Sequence, residues 1–224
     1  GVDLIRRVEG PHVHALTTPL ITKADGTKFG KTESGTVWLD PDLTSPYAFF
    51  QFWLNADDRD VPVLLRTFSF KNRSEIDELI TATKEHPHRR AAQRALAEEL
   101  TELVHGQDEM RGVQAAGRVF FGQGKFAEVP EAVLVAALSE APQGVVNREE
   151  IQNGLLPSVD ELFLRAGLVD SKGAARRVVK EGGAYLNNER VGDAGYRPTS
   201  DELIYGDWLV LRRGKRNIGS IRVR

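Results

Sequence analysis

The run Tyr47-Ala48-Phe49-Phe50-Gln51-Phe52-Trp53-Leu54 does most to limit the folds open to this chain. Ser45 is a good N-cap and Pro46 a good first helical residue, so a helix begins there. Tyr47, Phe49, Phe50, Phe52, Trp53 and Leu54 make that helix apolar nearly all round, and such a helix must lie between other layers. The aromatics are read as core rather than as platforms for stacked bases.

The neighbouring sequence supplies those layers. Val61 to Phe70 reads as a second apolar helix. Ser74-Glu75-Ile76-Asp77 reads as a capping box, with Ile76, Leu79 and Ile80 at helical spacing. After His86-Pro87 a long helix runs to Val104, with Ala92, Ala95, Leu96, Leu100 and Leu103 on one face and Gly106 at its end. Met110 to Phe121 is a further helix. Arg89, Arg90 and Arg94 read as a solvated face.

Upstream the pattern differs. Val2 to Val8 reads as the end of a helix closed by Gly10-Pro11. Val13 to Ile21 is apolar and partly β-branched, and is expected to be a strand, the last parallel strand of an α/β sheet. His12 and His14 would share a face of it, but no third ligand is visible, so no metal site is assigned. Next comes Lys23 to Gly35, with Lys23, Lys28 and Lys31 interleaved with Gly26, Gly30 and Gly35. Glycine lets backbone approach a ligand closely, and lysine is a compact charge suited to phosphate. Taken alone, such a run is either a solvated turn or a mobile phosphate-closing loop.

Downstream, Gly122 to Pro157 reads as a connection with one helix at Pro130–Leu138. From Ser158 a separate module begins. Ser158-Val159-Asp160-Glu161 starts a short helix ending at Gly167, and Ser171 caps a second helix, Lys172 to Glu181. Lys172, Arg176 and Lys180 fall at i, i+4, i+8 with Arg177 alongside, one positive stripe. Ala184 to Val191 reads as a hairpin turning at Asn187-Asn188. A later hairpin carries Arg212, Arg213, Gly214, Lys215 and Arg216. Residues 158–224 hold 13 Lys/Arg against 9 Asp/Glu, while the rest of the chain is acidic. A basic module on an acidic body implies a polyanionic partner.

The fold class expected is therefore α+β and multi-domain. Its parts are an α/β portion over 1–44, an all-α domain over 45–122, a connection over 123–157 and a small α+β module over 158–224. With 41% hydrophobic residues and a formal charge of -2, the chain reads as an ordinary soluble protein. No signal peptide or membrane-spanning run is visible. The absence of cysteine excludes disulfides and thiolate metal sites and is compatible with the cytoplasm.

The wording KADGTKFGKTESG, then VWLDP and TSPYAFFQFW, resembles the KMSKS signature loop and following domain of class I aminoacyl-tRNA synthetases, specifically the bacterial tyrosyl-tRNA synthetases. Helix, basic helix and a Leu-Asn-Asn hairpin resemble the alpha-L RNA-binding fold, which is also the terminal module of that family. The resemblance implies a Rossmann-like domain ending in the lysine loop, a helical anticodon-side domain and an RNA-binding tail. It implies tyrosine–tRNA ligase chemistry: a tyrosine carboxylate attacks the α-phosphate of ATP, pyrophosphate leaves, and the product passes to tRNA(Tyr). Lys28 and Lys31 would be catalytic, stabilising charge on the phosphates. Thr32 would also touch ATP, the backbone at Leu20 and Ile21 would lie beside adenine, and Mg2+ would accompany the nucleotide. Lys172, Arg176, Arg177, Lys180, Arg212, Arg213, Lys215 and Arg216 would hold RNA.

The family's HIGH motif and tyrosine pocket are expected upstream of Gly1. These residues alone are then not expected to activate tyrosine, and a homodimer would form mostly through that other half. The alternative is a non-enzymatic RNA-binding protein built from a helical domain and an alpha-L module. Upstream coding sequence separates the two.

Overall fold

The computed structural model describes residues 1–29, 36–214 and 217–224, arranged as two compact units, Gly1–Val37 and Trp38–Arg224. In the first, helix α1 (Val2–Glu9) ends at Gly10 in the left-handed region, φ 80°. The expected strand over Val13–Ile21 does not form: among the described residues this segment makes no ladder. A strand of a parallel sheet is held by neighbours on both edges and covered on both faces. Among the described residues the one backbone hydrogen bond to 13–21 is Phe29 N–H to the Ile21 carbonyl at its end, and Leu16 and Leu20 are exposed. What forms instead is a small turn, with an isolated antiparallel bridge between Thr22 and Lys28.

The second unit begins with the helical layer: α2 (Pro46–Leu54), α3 (Val61–Phe68), α4 (Arg73–Glu85), α5 (Ala91–His105), α6 (Gln107–Phe120) and α7 (Glu131–Ser139). Ser45 Oγ accepts from the Ala48 N–H, so the expected cap is in place. No residue of α2 is exposed, as its all-round apolarity requires. It lies against α5, α6 and α7 and buries Phe49, Phe50 and Trp53, with Phe49 edge-on to His105 of α5 at 4.9 Å and Trp53 edge-on to Phe68 of α3 at 5.3 Å. The capping box of α4 is not at Ser74 but two residues earlier. Asn72 Oδ1 accepts from the Glu75 N–H at 3.0 Å and the Glu75 carboxylate accepts from the Asn72 N–H at 2.8 Å. Asn72 lies outside the helix with extended backbone, as a cap must, whereas Ser74 is already helical. Arg90 is not simply solvated either: it stands at φ 49° and its Nη2 donates to the Ala56 carbonyl, tying α5 to the loop before α3.

The remainder forms a five-stranded sheet of order β1-β5-β4-β2-β3. The strands are β1 (Gln143–Val146), β2 (Ala184–Leu186), β3 (Glu189–Arg190), β4 (Trp208–Arg213) and β5 (Asn217–Val223). β1 pairs parallel to β5 and every other pair is antiparallel. Helices α8 (Val159–Arg165) and α9 (Lys172–Lys180) pack on each other, and α8 packs on β1 and β5. Val146, Leu162, Phe163, Val179, Leu186, Leu209 and Ile221 fill the core between helices and sheet. Val146 and Leu156 belong to that core, so the stretch read as a connection contributes a strand and side chains to the sheet module. Asn188 Nδ2 donates to the Val119 carbonyl at the end of α6, and Tyr205 OH donates to the Val129 carbonyl. Among the described residues no helix is long and apolar enough to cross a membrane.

Candidate functional site

The described part of the lysine loop is a tight hairpin. Lys23 N–H donates to the Thr27 carbonyl at 2.8 Å and Phe29 N–H to the Ile21 carbonyl at 3.1 Å. Asp25 Oδ1 accepts from both the Thr27 N–H and its hydroxyl, at 2.9 and 2.6 Å, which closes an Asx turn. Gly26 follows at φ 83°, a conformation that costs glycine little. Lys28 lies on the returning arm of this hairpin opposite Thr22 and is exposed, while Ile21 is half-buried and Leu20 is exposed. Lys31 and Thr32 lie outside the described residues. Of the five residues expected at ATP, Ile21 and Lys28 lie on the two arms of this short turn and Leu20 directly precedes it.

The second candidate surface is α9 and the two hairpins. Ser171 Oγ accepts from the Ala174 N–H and starts α9 where expected. Ala175 and Val179 are buried, which turns Lys172, Arg176, Arg177 and Lys180 outward. The stripe is not uniformly available. Lys172 Nζ is 2.9 Å from Glu161 and Arg176 Nε is 2.9 Å from Asp160, so α8 presents carboxylates to two of the four cations. Burial alone would raise the Asp160 carboxyl, but hydrogen bonds from Ser158 and Arg176 outweigh it and hold the group below the usual range. Hydrogen bonds from Lys172 and then Arg165 likewise depress Glu161. Arg165 also reaches Glu150 at 2.7 Å. Arg177 and Lys180 are exposed and make no ion pair among the described residues.

Of the second hairpin, Arg212 stacks on the Tyr185 ring at 4.0 Å and donates through Nη1 to the Gly214 carbonyl. Arg213 donates to the Leu168 carbonyl at 3.0 Å. Lys215 and Arg216 lie outside the described residues. Sequence reading passed over Arg190, at the end of β3. Its guanidinium lies so close over Gly182, just past α9, that a Cβ there would run into it. This brings a further cation beside the C-terminal end of the stripe. The signal available was its place directly after the Asn187-Asn188 turn, which returns the chain toward Gly182-Gly183.

A turn that presents lysine beside a half-buried apolar residue, and a basic helix edged by hairpins, are two parts with different chemistry in one chain. Residues 1–122 match the family described as tRNA synthetases class I (W and Y), more than half of the chain, and the chain belongs to that family. Residues 136–220 match the tyrosine–tRNA ligase SYY-like C-terminal domain. Among curated relatives, a tyrosine–tRNA ligase of Streptomyces avermitilis is 59% identical over all of this chain and 51% of its own length. One from Thermobifida fusca is 58% identical over all of this chain and 52% of its own length. The chain thus spans about half the length of the curated relatives it matches. A truncated mitochondrial tyrosyl-tRNA synthetase of Aspergillus nidulans aligns over 37% of this chain and 24% of that chain, at 39% identity and a TM-score of 0.35.

Proposed function

We propose that this chain supplies the ATP-closing lysine loop and the tRNA-holding parts of a tyrosine–tRNA ligase. The observation that carries this reading is the alignment of relatives so named over the whole of the chain at 58–59% identity. In that reaction a carboxylate attacks the α-phosphate of ATP and pyrophosphate departs. Charge grows on the phosphates as the transition state is reached. Ammonium groups that meet this charge only when the loop closes lower the barrier more than they tighten substrate binding. Lys28, exposed on the arm of its hairpin, and Lys31 are assigned this role. Thr32 is assigned a hydrogen bond to a phosphate oxygen, and the backbone at Leu20 and Ile21 a place beside adenine. The nucleotide is taken as its Mg2+ complex.

The tRNA-facing surface is assigned to Lys172, Arg176, Arg177, Lys180, Arg212, Arg213, Lys215 and Arg216, with Arg190 added. These side chains are spaced to meet backbone phosphate and ribose, which serves shape recognition. The division into a loop-bearing portion, a helical anticodon-side domain and an alpha-L module is part of the same proposal. So are a cytoplasmic location and a homodimer built mainly by residues outside this chain.

The test is made in the full-length enzyme. Lys31→Ala is expected to raise the barrier to adenylate formation by about 2–4 kcal/mol with tyrosine affinity little changed. A tyrosine-dependent pyrophosphate exchange rate equal to that of the parent would remove the loop from the mechanism.

A further inference from the structure

The end of the sheet away from Arg213 and Asn217 carries a second group of arginines. Arg148, Asp207, Arg222, Val223 and Arg224 line a surface pocket of about 470 Å³. Register puts Trp208 opposite Arg222 and Arg213 opposite Asn217, so this pocket and the Arg213–Asn217 pair lie at opposite ends of the β4–β5 ladder. Five residue steps of strand separate them by about 17 Å.

Backbone hydrogen bonds fix the pocket's frame. Arg148 N–H donates to the Arg224 carbonyl at 2.8 Å, Arg224 N–H to Val146 at 3.1 Å, and Val223 N–H to Asp207 at 2.8 Å. The side chains are unevenly matched in charge. Arg148 is bound to Asp207 at 2.6 Å. Arg222 lies over the Trp208 ring at 5.2 Å, and neither it nor Arg224 has a carboxylate partner among the described residues. Three guanidiniums line the pocket against one side-chain carboxylate, Asp207. Glu150, nearby in sequence, is taken by Arg165. A guanidinium held over an indole face by cation–π attraction, with no carboxylate on its N–H groups, can still bind an anion through them.

We propose that Arg148, Arg222 and Arg224 form a phosphate-binding pocket that takes a backbone phosphate of the RNA, a second anchor at the other end of the β4–β5 ladder from Arg213. This rests on the reading of the module as RNA-binding. An arginine over an indole face, with an excess of positive charge around an open pocket, suits a phosphodiester. The Arg148–Asp207 pair would keep Arg148 oriented when no RNA is bound.

The test uses the 224-residue chain and a tRNA(Tyr) transcript, with binding followed between about 50 and 200 mM salt. The double variant Arg222→Gln/Arg224→Gln should weaken binding about ten-fold and lower the slope of log K against log salt by at least about one. Arg222→Lys, which keeps the charge but loses the flat fork, should weaken binding less and leave the slope near the parent's. Arg177→Gln/Lys180→Gln on α9 serves as the reference. If that reference loses affinity while the pocket variant matches the parent in both affinity and slope, the pocket is not an RNA site and the wider reading stands. If neither variant changes anything, both fail. Inorganic phosphate added at millimolar concentration separates the sources. A shift of the Arg222 Nε–H resonance with tRNA affinity unaltered in the pocket variant would assign the pocket to free phosphate and overturn its role with RNA.

Discussion

Asp160, buried at the start of α8, accepts a hydrogen bond from Arg176 of α9 at 2.9 Å, so a residue of the basic stripe also holds two helices together. Its other carboxylate oxygen accepts from Ser158 Oγ at 2.6 Å. Arg176→Ala would leave a buried carboxylate with one partner fewer. Because Arg176 itself is largely in water, the loss at pH 7 is expected to be about 1–2 kcal/mol, at the low end for bonds to charged groups. The sign with pH follows from the direction of the shift. Asp160 titrates below its ordinary value in the folded protein, so its ionised form stabilises the fold above the unfolded carboxyl range. That contribution disappears as pH falls through the depressed folded value. Urea denaturation of parent and variant should therefore differ at pH 7 and converge as pH drops below about 4. A gap that persists unchanged in acid would assign the loss to packing instead.

Glu161 is shared between Lys172 at 2.9 Å and Arg165 at 2.5 Å. RNA phosphate must compete with this carboxylate for Lys172. Glu161→Gln removes the competing charge, so tRNA affinity should rise several-fold. The salt dependence should steepen by about one unit of slope, because one more cation is free to release counterions. Stability should fall by no more than about 1 kcal/mol, since the pairs are partly exposed. An unaltered slope would show that Lys172 never meets the nucleic acid.

These pairs mark where sequence reading stopped. Spacing alone placed Lys172, Arg176 and Lys180 on one helix face, because that follows from 3.6 residues per turn. Which of them meet carboxylates depends on how α8 crosses α9, and no local period encodes that. The cap at Ser45 and the apolar α2 were legible because their causes lie within a few residues. The cap of α4 was misplaced by two residues because Ser74 with Asp77 and Asn72 with Glu75 both carry the needed groups, and backbone conformation decides between them. β1 was missed because four residues, Gln143–Val146, carry little alternation, and its parallel pairing depends on β5, more than seventy residues on. The strand expected at Val13–Ile21 had the right composition, but composition cannot supply a neighbour to pair with. Lys28 and Lys31 were singled out by residue type and spacing, and their role at ATP is a proposal that rests on the resemblance.

Gly144 allows β1 to lie under α8. A Cβ built there would stand 2.6 Å from the Arg165 carbonyl oxygen and 2.8 Å from Ile221 Cδ1. The isoleucine can turn aside, but the carbonyl belongs to helix backbone and cannot. Gly144→Ala is expected to cost about 1–3 kcal/mol by overpacking. The thermal midpoint should fall, and amide exchange in β1 should quicken more than in β4, which lies two strands further in, beyond β5. A variant as stable as the parent would mean that α8 can lift from the sheet without loss.

Asn187 carries the turn between β2 and β3 in two separate ways. Its backbone stands at φ 47°, and its side chain donates to the Glu202 carbonyl at 2.7 Å while accepting from the Val210 N–H at 3.0 Å. The side chain thus continues the β2–β4 ladder one step past the last strand pair, Leu186 with Leu211. Substitution can separate the two contributions. Asn187→Gly keeps the backbone accessible and loses both hydrogen bonds, for an expected cost of about 1–2 kcal/mol. Asn187→Ala loses the same bonds and must also hold a Cβ in the left-handed region, adding about 1 kcal/mol. Chemical denaturation should rank parent above glycine and glycine above alanine. If alanine equals glycine, backbone conformation contributes nothing at this turn, and the two side-chain bonds alone account for asparagine there.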